Sequence, residues 1–349
     1  MRLWDLYSPD MPPFITAAMH APEMRRLQNV GMNCGCEYTS FPLFRRIREP
    51  YSRFDHSVGA ALLIWRFTGD IRQTLAGLFH DIATPCFAHV VDFMLGDSMN
   101  QEATEDGTRD AIERSESIQA LLRKHGLSTD DVADYHRYPI ADNDSPRLSA
   151  DRLEYTLGNL VNYQFMARDQ VRRMLDALAV LRDEQERDEL GFVSVEEAVP
   201  FANGALDMGR IYVSEPDRFS MQMLAELLGR AEAAGVIAMG DLWRDEPFLI
   251  RKLCRDERFA GEWEHYRQYS EIVHGEDGII VHAKKRYIDP LVRDLGRVSQ
   301  IDAAFKKRIE AFLDESQEIP LSPAHDQKRN AVCSDADGQS PFDSPETGS

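Results

Sequence analysis

The chain has 349 residues, 43% of them hydrophobic, with 40 Lys and Arg against 59 Asp and Glu for a formal net charge of -19. That length predicts one large domain, or one domain with an appendage, and enough apolar residues for a sizeable core. The acidic balance excludes general attraction to nucleic acid, so any phosphate site has to be locally basic.

The N-terminal stretch "MRLWDLYSPDMPPFITAAMHAPEMRRL" lacks the apolar core of a secretory signal. No run of about 18 apolar residues predicts a membrane span. Five cysteines, an odd number and mostly in apolar settings, point to a reducing, cytoplasmic location. Cys34 and Cys36 are one residue apart, which suits neither a zinc knuckle nor a redox motif, and they read as ordinary thiols.

Apolar residues recur three and four apart along most of the chain. The first predicted helices are "HSVGAALLIWRFTG" (56–69), "RQTLAGLFHDIA" (72–83) and "DAIERSESIQALLRKHG" (110–126). Next come "ADRLEYTLGNLVNY" (150–163) and "ARDQVRRMLDALAVLRDEQER" (167–187). "RFSMQMLAELLGRAEAAG" (218–235), "GDLWRDEPFLIRKLCRD" (240–256) and "QIDAAFKKRIEAFLDE" (300–315) complete the set. Gly126 and Ser128 read as a helix stop followed by a helix start. Extended structure is predicted only for "GFVSV" (191–195) and "GIIVHAKKRYIDPLV" (278–292), where β-branched residues cluster. The polar, acidic stretch 97–110 reads as a surface loop. From 318 the chain is rich in Pro, Ser, Asp and Gly and predicts a disordered tail. The expected organisation is an extension over 1–23, a helical core over 24–185, a helical and extended subdomain over 186–317, and the tail over 318–349. The fold class is all-α with a small extended C-terminal element.

Within "TLAGLFHDIATPCFAH" (74–89), His80 and Asp81 follow an apolar run without a break, and His89 comes soon after. Burying an unpaired ion costs several kcal/mol, so such a pair needs partners or a metal. His56 opens the helix before it, and Asp151 opens a later helix whose inner face carries Leu153, Tyr155, Leu157 and Leu160. Two imidazoles and two carboxylates suit magnesium or a divalent transition ion. A structural alternative makes the aspartates helix caps and His80 a core residue.

The order "RFDHSVG", "LFHDIATPCFAHVVD", "ADRLEY" resembles the HD-domain metal-dependent phosphohydrolase superfamily. Its closest motif match is the dNTP triphosphohydrolase branch, with R-F-E-H-S-L-G, H-D-L-G-H-G-P-F-S-H-x-x-D and D-K-x-x-Y. The resemblance covers roughly residues 24–160. It implies an HD-domain helical core with His56, His80, Asp81 and Asp151 as ligands of one divalent ion: Mn, Fe, Mg, Co, Ni or Zn. It also implies that Arg53, Arg152 and Tyr155 bind substrate, and that His89 and Asp92 face the phosphates as catalytic residues. Thr84 stands where the branch has a histidine, and Ala83 where it has a glycine. No histidine lies between His89 and His125, so Glu113 or Glu102 is expected to partner the acid machinery.

The expected activity is metal-dependent hydrolysis of a nucleotide or related phosphoester. Its partner is a small phosphorylated substrate, with no membrane and no nucleic acid, and family likeness allows a homo-oligomer. A di-iron HD oxygenase is one alternative, with His125 and His136 as the extra ligands. A non-catalytic nucleotide sensor is another. The H-H-E-x-x-D-G-x-G-Y-P signal of cyclic-dinucleotide phosphodiesterases is absent. Lys284, Lys285 and Arg286 read either as a solvated edge or as additions to the nucleotide pocket.

Overall fold

Two short helices, α1 (Pro13–Met19) and α2 (Pro22–Arg26), lead into the fold in a computed structural model that describes residues 2–8, 10–96 and 107–324. Each begins on a proline, whose missing N–H would have no helical partner at that position. Next, α3 (Arg53–Thr68) starts at a capping box. The Ser52 hydroxyl accepts from the Asp55 amide at 3.2 Å, and the Asp55 carboxylate accepts from the Ser52 amide at 3.1 Å. Ten of its next eleven residues, Phe54 to Ile64, are buried, so α3 is the central helix of the molecule. Gly69 ends it at φ 61°, a left-handed turn that glycine adopts without steric cost. Asp70 then caps α4 (Ile71–Phe79) by accepting from the Arg72 amide at 2.8 Å. The two helices pack tightly at Gly77, where a β-carbon would come within 2.1 Å of Ile64. This hairpin returns His80, just beyond α4, to the end of α3 that carries His56.

The chain continues through α5 (Val90–Met94), α6 (Thr108–Arg114), α7 (Glu116–Lys124) and α8 (Ala150–Asn162). α6 and α7 replace the single predicted helix over 110–126. Ser115, with ψ 105°, closes one and caps the other through the Ile118 amide. Of the predicted loop 97–110, residues 97–106 lie outside the described residues, and Thr108 already begins α6. At α8 the Ser149 hydroxyl accepts from the Arg152 amide at 3.2 Å, which sets Asp151 in the first turn.

The predicted helix over 167–187 is corrected. It is helical only as α9 (Arg168–Asp176), then turns into β1 (Leu178–Arg182), paired antiparallel with β2 (Asp188–Phe192). The Asp183 carboxylate makes the hairpin by accepting from the Gln185 and Arg187 amides, both at 2.8 Å. Burial of Leu190 and Phe192 in the main core supplies the driving force that overrides local helix propensity. The predicted strand "GFVSV" survives only in its first two residues, because Val195 begins α10 (Val195–Tyr212).

After α10 come α11 (Glu215–Ala233), α12 (Glu246–Cys254) and α13 (Glu257–Arg267), followed by β3 (Ile272–Ile279), β4 (Leu291–Val292) and β5 (Gly296–Arg297). α14 (Val298–Ile301), α15 (Ala303–Asp314) and β6 (Leu321–Pro323) complete the described chain. One sheet has the order β1-β2-β4-β5, with β2 and β4 parallel, and β3 pairs with β6. The extended prediction over 278–292 therefore holds at its two ends and not across its middle. The expected tail is also corrected at its start: Leu321 is buried and pairs with β3, while 325–349 lie outside the described residues.

Two apolar clusters organise the packing. One joins α1, α3, α4, α8 and α10, and the other joins α11, α12 and α13 with residues 34–44 and 86–93. The ends of α3, α4 and α8 belong to the first and α5 to the second, so the site described next lies where they meet. The cysteines at 34, 36, 86 and 254 are free. No described helix is long and apolar enough to cross a membrane.

Candidate metal centre

Three side chains converge from three helix termini. His56 stands in the first turn of α3, His80 at the C-terminal cap of α4, and Asp151 in the first turn of α8. His56 Nε2 lies 2.9 Å from Asp151 Oδ1 and 3.2 Å from His80 Nε2, and His80 Nε2 lies 3.3 Å from the same Asp151 oxygen. Among the described residues this is the one group whose ligand atoms converge closely enough to hold an ion. Both histidines are buried, while the Asp151 side chain is 18% exposed and marks the open side. Asp81 is adjacent: its Oδ2 lies 3.5 Å from His80 Nε2 and 4.0 Å from His56 Nε2, and it pairs with Arg53 Nη1 at 2.9 Å.

The donor set fits a cation. His80 Nδ1 is 2.7 Å from the Gly77 carbonyl, which can only accept, so Nδ1 carries the hydrogen and the neutral ring has its lone pair on Nε2. His56 Nδ1 is 2.6 Å from Glu154 Oε2, which orients that ring the same way. Two nitrogen lone pairs and one carboxylate oxygen thus face one point, an arrangement that repels itself unless a proton or a metal ion lies there. Bonds of about 2.1 Å to one ion would separate neighbouring donors by about 3.0–3.4 Å, close to the 2.9, 3.2 and 3.3 Å seen here.

The electrostatics agree. Burial opposes charge on His56, but hydrogen bonds to Asp151 and Glu154 outweigh it and raise its pKa to about 10. His80 is raised for the same reason, chiefly by Asp81 and Asp151 against burial. Burial works against ionising Asp81 and Asp151, yet Arg53 and the two histidines hold both carboxyls well below their usual range. A site that attracts protons this strongly is one prepared for positive charge.

Behind the His56 group is a support that the sequence reading missed. Glu154, one turn after Asp151, accepts from the Tyr7 hydroxyl at 3.1 Å and from Tyr51, as well as holding His56. Glycine makes the room: a β-carbon at Gly59 would lie 2.4 Å from Glu154, and one at Gly158 would lie 2.5 Å from the Tyr51 hydroxyl. A carboxylate behind a ligand histidine fixes its tautomer and increases its basicity. The available signal was a charged residue on the apolar face of α8. Tyr135, also unforeseen, lies with its ring 4.9 Å from that of His80.

The segment 82–89 is held from outside. Arg26 donates to the carbonyls of Ile82 at 3.0 Å and Thr84 at 2.7 Å. The Thr84 hydroxyl donates to Asp81 Oδ1 at 2.8 Å, so this residue orients the Asp81 carboxylate. Phe87 and Ala88 adopt φ of 59° and 45°, a left-handed conformation that costs about 1–3 kcal/mol for each such residue. The fully buried Phe87 ring, packed near Tyr38 and Trp263, holds the turn. The result aims His89, whose Nδ1 lies 2.9 Å from Asp92 Oδ2. Asp92 is fully buried, and its Oδ1 has no hydrogen-bond partner. Burial, then Arg53 and Arg286, lower the His89 pKa against the pull of Asp92.

The remaining predicted residues are distributed unevenly. Arg53 is buried, with its Nε unpartnered. Tyr155 lies 6.3 Å, ring to ring, from both His56 and Tyr212, and burial raises its pKa to about 12. Arg152 is spent locally: it pairs with Asp142 at 3.0 Å and donates to the Arg147 carbonyl at 2.8 Å and to Asn143, which secures the loop before α8. Glu113 is half exposed and faces Arg109 at 3.5 Å, so the carboxylate brought to His89 is Asp92. Glu102 lies outside the described residues. His125 packs against Phe14, and His136 is half exposed and bonded to Asp142 at 2.8 Å. Neither joins the His56 group, so the two extra histidines that a second iron would need are directed elsewhere.

No family model matches the chain. It is 26% identical over 293 residues to a metal-dependent phosphohydrolase, cns2, of Cordyceps militaris, covering 80% of each protein. It is 27% identical over 252 residues to an uncharacterized protein, YdhJ, of Bacillus subtilis, covering 69% of this chain and 74% of that one. In fold it resembles a hypothetical protein from Aquifex aeolicus, with a TM-score of 0.54 and 18% identity over 73% of this chain and 71% of that structure. Over four fifths of its length the chain is thus similar to a metal-dependent phosphohydrolase, and it carries the His56–His80–Asp151 group on three helix ends.

Proposed function

We propose that this chain is an HD-type metal-dependent phosphohydrolase that cleaves a phosphoryl group from a nucleotide or a related phosphoester. One observation carries the reading: His56 Nε2, His80 Nε2 and Asp151 Oδ1 meet within 3.3 Å, with hydrogen bonds that leave their lone pairs facing one another. His56, His80 and Asp151 would hold one divalent ion, with Asp81 completing the set. A bound divalent ion supplies a Lewis acid for phosphoryl oxygens and brings the pKa of coordinated water toward about 7.

The chain's own residues do the rest. Glu154 and the Gly77 carbonyl fix the two imidazoles. Arg53 pairs with Asp81 beside the centre, and its guanidinium would hold a phosphoryl oxygen. The His89 ring, 31% exposed, holds its Nδ1 on Asp92, which leaves Nε2 to exchange a proton with the leaving oxygen. Tyr155 gives a flat wall for the organic part of the substrate. Loss of the branch's extra histidine, replaced by Thr84, fits a leaving group that needs less acid assistance than a triphosphate.

The test is a panel of nucleotides and phosphoesters with Mn, Fe, Mg, Co, Ni and Zn, reading phosphate, pyrophosphate and triphosphate. His80→Ala and Asp151→Ala are expected to lose both bound metal and hydrolysis. Full hydrolysis in either variant, or no release by the wild type under any ion, overturns the reading.

A further inference from the structure

The candidate centre is assembled from both apolar clusters, so its geometry depends on what fixes one against the other. Val30 and Phe54 pack in the first cluster and Phe87 in the second. Residues 30–32 clamp the start of α3. The Arg53 amide donates to the Val30 carbonyl at 2.8 Å, the Met32 amide donates to the Tyr51 carbonyl at 3.1 Å, and Gly31 pairs with Ser52. This clamp holds the helix turn that presents Arg53 and His56. His89 comes from the other side, just after the left-handed turn at Phe87 and Ala88.

Glu246, the first residue of α12, joins the two arms. It is fully buried, and each of its oxygens serves a different arm. Oε1 accepts from the Gly31 amide at 2.7 Å, inside the clamp. Oε2 accepts from the Tyr38 hydroxyl at 2.9 Å. The Tyr38 ring meets the Phe87 ring edge-on at 6.1 Å, and a β-carbon at nearby Gly35 would lie 2.8 Å from the same Phe87 ring. The residues just before Glu246 add to the tie. The Leu242 carbonyl accepts from the Cys86 amide at 2.7 Å, and Arg26 links the Arg244 carbonyl at 3.2 Å to those of Ile82 and Thr84. A carboxylate bonded to an amide and a hydroxyl recovers only part of the cost of leaving water. Its place is explained by the single arrangement that such a buried network specifies.

We propose that Glu246 is a positioning residue: one buried carboxylate that fixes the His89 turn relative to the helix start carrying Arg53 and His56. The inference rests on the phosphohydrolase reading above and adds a distant segment to it. Glu246 acts through Gly31 on one arm and through Tyr38 and Phe87 on the other. A displacement of about 1 Å between reacting groups can cost about a hundredfold in rate. Loosening this tie therefore lowers turnover and leaves the His56 group able to bind its ion.

The experiment compares wild type, Glu246→Gln, Tyr38→Phe and Ile250→Val. Ile250 is buried in the same helix, and its variant removes one methyl group without touching either arm. Metal-loaded proteins are assayed for kcat and KM on p-nitrophenyl phosphate and on the nucleotide turned over fastest in the panel above, with metal content and melting temperature. Metal-free proteins labelled with 15N-histidine report the His89 ring resonances. Glu246→Gln and Tyr38→Phe are expected to lower kcat about ten- to a hundredfold, with KM and metal content unchanged and the His89 resonances shifted. Ile250→Val should lower the melting temperature and keep kcat. If Glu246→Gln does not fold, Tyr38→Phe decides, because it keeps the ring and removes only the bond to Oε2. Wild-type kcat in the folded variants overturns the proposal, and so does an equal loss in Ile250→Val. No hydrolysis by the wild type overturns the underlying reading instead; unmoved His89 resonances in Tyr38→Phe would then still overturn the positioning role.

Discussion

Two buried carboxylate groups in this molecule behave in opposite ways. Asp81 and Asp151 stay ionised because Arg53, His56 and His80 surround them. Glu37, Glu246 and Asp217 are also buried, and burial pushes all three upward, Glu37 to about 8 and Glu246 to about 7. Glu246 accepts from the Gly31 amide at 2.7 Å and the Tyr38 hydroxyl at 2.9 Å, whereas both Glu37 oxygens lie buried without a hydrogen-bond partner. The same side-chain type is thus held ionised in one place and pushed toward the neutral acid in the other. The difference lies in the partners: imidazoles and a guanidinium offset the cost of desolvating an anion, and hydroxyls with one amide do so only in part.

The sharpest way to break this contrast after ligand removal is His89→Ala. It should lower kcat by roughly 10²–10⁴-fold with metal content unchanged, as loss of a general acid does. Unaltered kcat would remove His89 from the mechanism. Glu154→Gln should come next. It keeps the shape but loses the charge behind His56, and metal affinity should fall about 10–100-fold in a chelator titration. Equal affinity would mean that Tyr7 and Tyr51 position His56 without the carboxylate. Thr84→Val deletes the hydroxyl that orients Asp81 and should reduce activity a few-fold, from about 1 kcal/mol of hydrogen bonding.

The smallest effect on hydrolysis is expected in the other group, at Glu37. Between its ordinary value of 4.5 and about 8, Glu37 is more protonated in the folded chain than in the unfolded one. Folding therefore takes up protons, and stability falls as pH rises through that window. Glu37→Gln should flatten the decline, so that melting curves of variant and wild type diverge toward pH 8 and agree near pH 5, with hydrolysis unaffected. Identical pH dependence would show that Glu37 stays ionised.

The residues of the His56 group were legible in sequence because each stands at a helix end with a local signal. Ser52 and Asp55 start α3 ahead of His56, Gly69 and Asp70 turn the chain back toward His80, and Ser149 starts α8 at Asp151. Caps act over three or four residues, within the range that a linear pattern records. The supports were hidden because they span long separations. Tyr7 reaches Glu154 across 147 residues. Arg152, beside a ligand in sequence, is turned away by Asp142 and Asn143. Leu178–Arg182 reads as helix until Asp188–Phe192 lies beside it.

The sequence by itself determined a mostly helical fold, the order of the His and Asp residues, and the termini that present them, since hydrophobic period and capping chemistry are local. Tertiary structure alone decided which carboxylates are ionised, where Thr84 and Arg152 point, and that the turn at Phe87 and Ala88 aims His89. Those outcomes depend on desolvation and on partners from distant segments, and neither is fixed until the two apolar clusters close around the site.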